Sequence, residues 1–203
     1  MQTESILEKV AVTGATGFIG SHLVRALLSF GCSPVLLTRS PEKISGNLRS
    51  LRIDLMDTDS VRDLLLKEKP DTLFHLAGTR SRSNSACNEI NFQATARLME
   101  AALRAGVRRV VITGSAEEYG NQQGPLGESL SPQPISAYGI SKAMATRHAL
   151  RMHTEEGLPV VVVRPFSVYG PGQPSNMFVA EAVHSAVRNE PFKMSRGEQK
   201  RDL

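Results

Sequence analysis

Eight consecutive residues, Thr13-Gly14-Ala15-Thr16-Gly17-Phe18-Ile19-Gly20, restrict the fold of this 203-residue chain more than any others. They follow a short β-rich run, Lys9-Val10-Ala11-Val12-Thr13. They open a segment, 18–30, in which Ile19, Leu23, Ala26, Leu27 and Phe30 recur at helical spacing. In a strand–loop–helix unit the three glycines have separate uses. Gly14 allows the tight turn, Gly17 lets the backbone approach a pyrophosphate, and Gly20 lets the helix pack close to the strand. The helix N-terminus adds free N–H groups and positive partial charge. The pattern predicts a dinucleotide-binding loop, with Thr16, Phe18 and Ile19 beside the glycines.

Strands and helices alternate along the rest of the chain. Apolar runs at 34–38, 51–53, 72–76, 109–113 and 160–163 read as strands, and 61–67, 86–105 and 135–154 as helices. Gly31 and Gly106 stand where helices stop. Continuous apolar strands are expected where both faces of a sheet are covered. The fold class is therefore α/β, a doubly wound parallel sheet of the Rossmann type with right-handed crossovers. Ligands of such sheets sit at the carboxyl ends of the strands. Those ends hold Gly14, Arg39, Asp54, Ala77, Ser115 and Ser167.

Several of these ends refine the expected site. A carboxylate that would hold a free ribose 2′-hydroxyl is missing after the second strand, where Thr38-Arg39-Ser40 stands instead. Arg39 and Ser40 suit a 2′-phosphate, so NADP(H) is favoured over NAD(H). Asp54-Leu55 follows the third strand; Asp54 either accepts from an adenine amino group or caps the helix that begins near Asp57. Leu76-Ala77-Gly78 offers small residues against which a ribose or nicotinamide can lie, and His75 before them reads as a core histidine.

Tyr138 and Lys142 are four residues apart and share one helix face. A free phenol has a pKa near 10 and is a poor acid or base at neutrality. A nearby ammonium stabilises the phenolate and moves it toward working pH. Ser115, at the end of the fifth strand, can hydrogen-bond the same substrate oxygen. Together Ser115, Tyr138 and Lys142 make a proton relay suited to hydride transfer, and Lys142 can also hold the cofactor ribose.

Composition narrows the alternatives. The net charge is +4, but the basic residues are scattered, aromatics are 5% and tryptophan is absent, which disfavours nucleic-acid recognition. No apolar run is long enough to cross a bilayer, so no membrane partner is expected. The first nine residues lack the order of a secretory signal. Cys32 and Cys87 have neither metal nor redox spacing, so they read as reduced thiols of a cytoplasmic protein without a metal site.

The chain resembles the extended short-chain dehydrogenase/reductases of the nucleotide-sugar epimerase/dehydratase family. The segments that carry the resemblance are the glycine loop, His75-Leu76-Ala77-Gly78, Ser115-Ala116-Glu117-Glu118-Tyr119-Gly120 and Tyr138-Gly139-Ile140-Ser141-Lys142. Arg164-Pro165-Phe166-Ser167-Val168-Tyr169-Gly170-Pro171-Gly172-Gln173 and Gly197-Glu198-Gln199-Lys200-Arg201-Asp202 complete the set, in family order. The resemblance implies that Ser115, Tyr138 and Lys142 are the catalytic triad and that the loop from Gly14 to Gly20 is the pyrophosphate site. It also implies that Pro165 to Ser167 flanks nicotinamide and sugar, and that Asn176 and Arg201 contact the nucleotide and diphosphate of a sugar donor. Ser167 stands where asparagine is usual, and the chain stops at Leu203, where family members usually continue. The expected organisation is a dinucleotide-binding domain over 1–170 and part of a substrate-binding region over 171–203, the remainder of that domain being absent.

The family's chemistry is exchange of a hydride at C4 of a nucleotide-diphosphate sugar. A 4-ketoreductase or 4-epimerase is favoured. A 4,6-dehydratase is the first alternative, with Glu117 as a base for the C5 proton, although Ala116 cannot act as the acid some of those enzymes place there. A non-catalytic NAD(P)-binding protein and a reductase of non-sugar ketones are the others. The long helices at 86–105 and 135–154 resemble those of a homodimer seam in the family.

Overall fold

The computed structural model describes residues 9–44 and 46–194. The chain divides into two compact units, 1–164 and 165–203, a break that falls ahead of the expected 170/171 boundary.

The first unit is built on six parallel strands: β1 (Val10–Thr13), β2 (Val35–Thr38), β3 (Ser50–Arg52), β4 (Thr72–His75), β5 (Arg109–Thr113) and β6 (Val160–Val163). Their spatial order is β3-β2-β1-β4-β5-β6. The order reverses between β1 and β4, so a crevice opens there at the carboxyl ends of the strands. The helices are α1 (Phe18–Ser29), α2 (Thr58–Glu68), α3 (Asn84–Cys87), α4 (Ala94–Arg104) and α5 (Ala137–Glu156).

The two faces of the sheet carry separate cores. Val10, Val12 and Leu36 pack against Val24 and Leu27 of α1. Ala11, Leu73, Val110 and Ile112 pack on the opposite face with Leu65 of α2, Leu98 and Met99 of α4, and Ala149 and Met152 of α5. Coverage is incomplete at one edge. Val160 and Val162 of β6 join the second core, whereas Val161 and Val163 are 50% and 48% exposed. These two valines share the α1 side with Phe74 and Val111, and of that row Phe74 still reaches the α1 core while Val161 and Val163 are not part of it.

The expected helix at 86–105 is interrupted. Between α3 and α4 lies a π-helical segment, Asn88–Gln93, in which the Ala94 N–H donates to the carbonyl of Glu89, five residues back. One extra residue in such a turn leaves the apolar rhythm nearly intact, so periodicity alone reads through it.

The second unit carries α6 (Phe178–Arg188), a helix the sequence reading does not anticipate. Its first residue, Phe178, packs against Phe192 with ring centroids 5.5 Å apart. Among the described residues no helix is long and apolar enough to cross a membrane. None of their His, Cys, Asp and Glu side chains form a group of three or more able to hold a metal ion.

Candidate active site

A cleft of about 310 Å³ opens at the carboxyl ends of β1 to β4. Ten of the residues expected at a cofactor line it: Gly14, Thr16, Gly17, Arg39, Ser40, Asp54, Leu55, Leu76, Ala77 and Gly78. Lys43, Met56, Ile90 and Ala94 line it as well and were not anticipated.

The loop is shaped by what it lacks. Gly14 has φ +71°, and a Cβ there would stand 2.5 Å from the Ala77 nitrogen. A side chain is therefore excluded both by the left-handed backbone and by the neighbouring strand end. A Cβ on Gly20 would collide with the Gly14 carbonyl, so the helix can lie against the loop only as glycine. Gly17 is the N-cap of α1, and no side chain caps that first turn or places an acidic group in it. The turn's amides and positive end are thus left for an anion, which fits the pyrophosphate of a dinucleotide. Phe18, Ile19 and Gly20 belong to this first turn rather than to the cleft lining, because the chain has already entered the helix. The Phe18 ring packs edge-on against His22, and Ile19 is 37% exposed.

Asp54 does not cap α2. Asp57 does, accepting from the Ser60 N–H at 3.1 Å, while Asp54 accepts from the Met56 N–H at 3.0 Å and remains in the cleft wall. On the other side of the β2 end, Glu42 pairs with Arg52 at 2.9 Å, and Arg39, Ser40 and Lys43 face the cleft.

Beyond Gly78 the cleft meets the polar cluster. A Cβ on Gly78 would lie 3.1 Å from Asn91 Oδ1 and 3.4 Å from Lys142 Nζ. Ser115, Tyr138 and Lys142 are brought together here. Ser136 caps α5 by accepting the Gly139 N–H at 2.9 Å, which sets Tyr138 in the first turn and Lys142 one turn on. The Ser115 hydroxyl lies close enough to the Tyr138 phenol to oppose, in a small way, the rise that burial causes in it. The Ser115 hydroxyl also accepts the Glu117 N–H at 3.1 Å. Lys142 is buried, and its ammonium donates to the Thr113 carbonyl at 2.7 Å. Burial lowers its pKa to about 8, against a smaller upward pull from Glu118.

One electrostatic expectation is corrected. The Tyr138 phenol is raised, not lowered, because desolvation outweighs every other influence on it. Lys142 Nζ stands 5.9 Å from the ring centroid, occupied by a backbone carbonyl.

Buried groups missed in the sequence hold this cluster. Glu118 is fully buried and accepts from the Ser115 N–H at 2.8 Å, from Thr146 Oγ1 at 3.0 Å and from Arg164 Nε at 2.8 Å. Ser115 and Glu118 form a capping box on the short turn Ala116–Glu118. The Ser-x-x-Glu spacing that signals such a box was visible in the sequence. Asn91, from the π segment, donates to Ser141 Oγ at 2.9 Å and clasps the Thr79 backbone, accepting its N–H at 2.7 Å and donating to its carbonyl at 2.9 Å. The Asn91 carbonyl accepts from Thr95 Oγ1 at 2.7 Å. That spends the single Thr95 proton, so His75 Nε2 donates to Thr95 at 2.9 Å and Nδ1 accepts from Thr13 at 2.7 Å. His75 is the core histidine expected, kept neutral by burial and, secondarily, by the Lys142 charge, with a pKa lowered to about 3.

Glu117 is not a free carboxylate. It pairs with Arg80 and accepts from Ser136 Oγ at 2.7 Å. Pro165, Ser167 and Asn176 lie in the second unit, with Ser167 and Asn176 exposed; Arg201 lies outside the described residues.

The model of the NAD dependent epimerase/dehydratase family matches residues 10–203, and the chain belongs to that family. It is 31% identical to an uncharacterized UDP-glucose epimerase of Bacillus subtilis (strain 168), over 96% of this chain and 68% of the relative. It is 32% identical to a GDP-6-deoxy-D-mannose reductase of Pseudomonas aeruginosa, over 89% of this chain and 59% of the relative. Among solved structures, MoeE5 in complex with UDP-glucose and NAD shares 39% identity at a TM-score of 0.77, covering 91% of this chain and 62% of that one. The chain thus spans roughly six-tenths to two-thirds of the length of these relatives.

Proposed function

We propose that the protein is an NADP(H)-dependent oxidoreductase acting at C4 of a nucleotide-diphosphate sugar, of the 4-ketoreductase or 4-epimerase type. The observation that carries this is the junction at Gly78, where the floor of the dinucleotide cleft lies against the Lys142 amine and the Ser115–Tyr138 pair stands beside it. Cofactor position and proton-transfer groups therefore meet at one place.

The loop from Gly14 to Gly17 and the first turn of α1 would hold the pyrophosphate, Asp54 and Leu55 the adenine end, and Leu76 to Gly78 the nicotinamide end. A bound nicotinamide dinucleotide supplies the hydride donor or acceptor. Tyr138 moves the proton of the C4 oxygen. Ser115, whose oxygen already accepts the Glu117 N–H, still has its own proton to orient that oxygen. Lys142 offers a donor to the ribose. Pro165, Ser167, Asn176 and Arg201 would contact sugar and nucleotide. Two features favour reductase or epimerase over dehydratase: Glu117 is engaged by Arg80 and Ser136, and Ala116 has no acid to give.

Preference for NADP(H) is supported by Arg39, Ser40 and Lys43 in the cleft wall and by Glu42 being paired elsewhere. A homodimer is supported by exposed Ile140 and Leu150 on α5; a monomer mass in light scattering refutes it. The deciding assay is turnover of UDP- and GDP-linked sugars and their 4-keto forms with each dinucleotide. Reduction or epimerisation at C4 is expected. Tight dinucleotide binding without turnover of any sugar, in the chain extended to its relatives' length, makes the protein a non-catalytic binder instead.

A further inference from the structure

We propose that Arg80 is a positioning residue that tunes the Tyr138 phenol, held over the ring by Glu117. The inference rests on Tyr138 being the proton-transfer group.

The Arg80 guanidinium carbon lies 4.8 Å from the centre of the Tyr138 ring, nearer than the Lys142 amine at 5.9 Å. The two cations differ in kind. Lys142 is buried and bound to the Thr113 carbonyl, and about half of its charge is gone near pH 8. A guanidinium stays charged throughout the range in which a phenol titrates. A cation over the ring face attracts the neutral phenol weakly through its quadrupole, but attracts the phenolate through a full charge, so ionisation is favoured.

Arg80 is an exposed loop arginine, but it is tethered beside the ring. Glu117 binds it, and the other oxygen of Glu117 accepts the hydroxyl of Ser136 at 2.7 Å. Ser136 is the N-cap of the helix that carries Tyr138. The guanidinium is thus tied through one carboxylate to the first turn of α5. Four charged groups face the phenol: Arg80 from the loop after β4, Glu117 and Glu118 from the turn after β5, and Lys142 from α5 itself. Burial raises the phenol and both carboxylates add to that. Arg80 is the largest influence pulling it down, ahead of the Ser115 hydroxyl. Arg80 therefore opposes the cost of burying a group that must ionise.

Tyrosinate absorbance tests this without substrate or turnover. The chain has three tyrosines and no tryptophan, so subtracting the Y138F titration isolates Tyr138. The R80Q midpoint is expected about one pH unit above that of the unsubstituted protein. R80K, whose ammonium itself deprotonates over the range in which the phenol titrates, is expected closer to R80Q than to the unsubstituted protein, with far-ultraviolet circular dichroism unchanged across the titrated range. Equal midpoints for R80Q and the unsubstituted protein overturn the proposal. Because no sugar enters the experiment, such a result leaves the C4 chemistry standing; absent turnover with the shifted midpoints would sink that chemistry and leave the tuning.

Discussion

At the glycine loop the chain shapes its site by withholding side chains, whereas around Tyr138 it does so by burying charged and polar ones. The first region works through sterics, since Gly14 and Gly20 leave no room for a Cβ. The second works through a hydrogen-bond network in which Glu118 alone connects Ser115, Thr146 and Arg164. A region built by omission binds without needing ionised groups. A region built from buried charge depends on pH and on every partner staying in place.

Substitutions should separate the two. Y138F is expected to cut turnover of the nucleotide sugar about 10³-fold while changing dinucleotide affinity less than about threefold. An equal loss in both, by steady-state kinetics and fluorescence titration, would mean that the regions are one. E118Q should cost about 3 kcal/mol in urea unfolding, since Arg164 would be left buried beside a neutral partner. The double change E118Q/R164M should recover part of that loss, and a purely additive pair would count against the network.

Lys142 gives the comparison a pH axis. Its folded pKa lies below its unfolded value, so between about 8 and 10.5 the unfolded chain holds the extra proton. The ammonium's burial cost is fully present below pH 8 and is relieved as pH rises. Relative to K142M, the unsubstituted protein should gain up to about 1.4 kcal/mol per pH unit in that window. Parallel stability profiles would rule out the burial cost.

G14A should cost about 2 kcal/mol and weaken dinucleotide binding more than tenfold, through backbone strain rather than charge. Its effect should be indifferent to pH from 6 to 9. The smallest effect belongs to Arg39: R39A should lower the NADP(H)-to-NAD(H) affinity ratio about fivefold, and an unchanged ratio in competition titrations removes Arg39 from cofactor choice.

The same contrast explains what the sequence makes legible. Five of the six strands stand out as short apolar-rich runs, β3 with Ser50-Leu51-Arg52 being the exception, and glycines between strand and helix announce the loop. The cleft residues follow from topology, because strand ends of a parallel sheet converge. The polar supports are harder to see. Glu118 and Arg164 stand within the segments that carry the family resemblance, but nothing local marks them as a buried pair beyond the Ser115–Glu118 spacing. Arg80 meets Glu117 and Tyr138 only through long-range folding, which leaves no local mark. Asn91 owes its place to the π segment, whose added residue is invisible to a periodicity of 3.6. α6 has a pattern of its own, with Val183 and Val187 among its exposed residues, yet it follows a proline- and glycine-rich stretch that reads as loop.

The interrupted helix has a consequence for how the chain tolerates change. Between α3 and α4 it holds a spare residue. Removing one amino acid from 88–93 would let the rod close into uninterrupted α geometry instead of breaking it. Such a deletion would keep the helix but swing the Asn91 amide away from the Thr79 backbone it clasps, so that the loop after β4 would lose its brace.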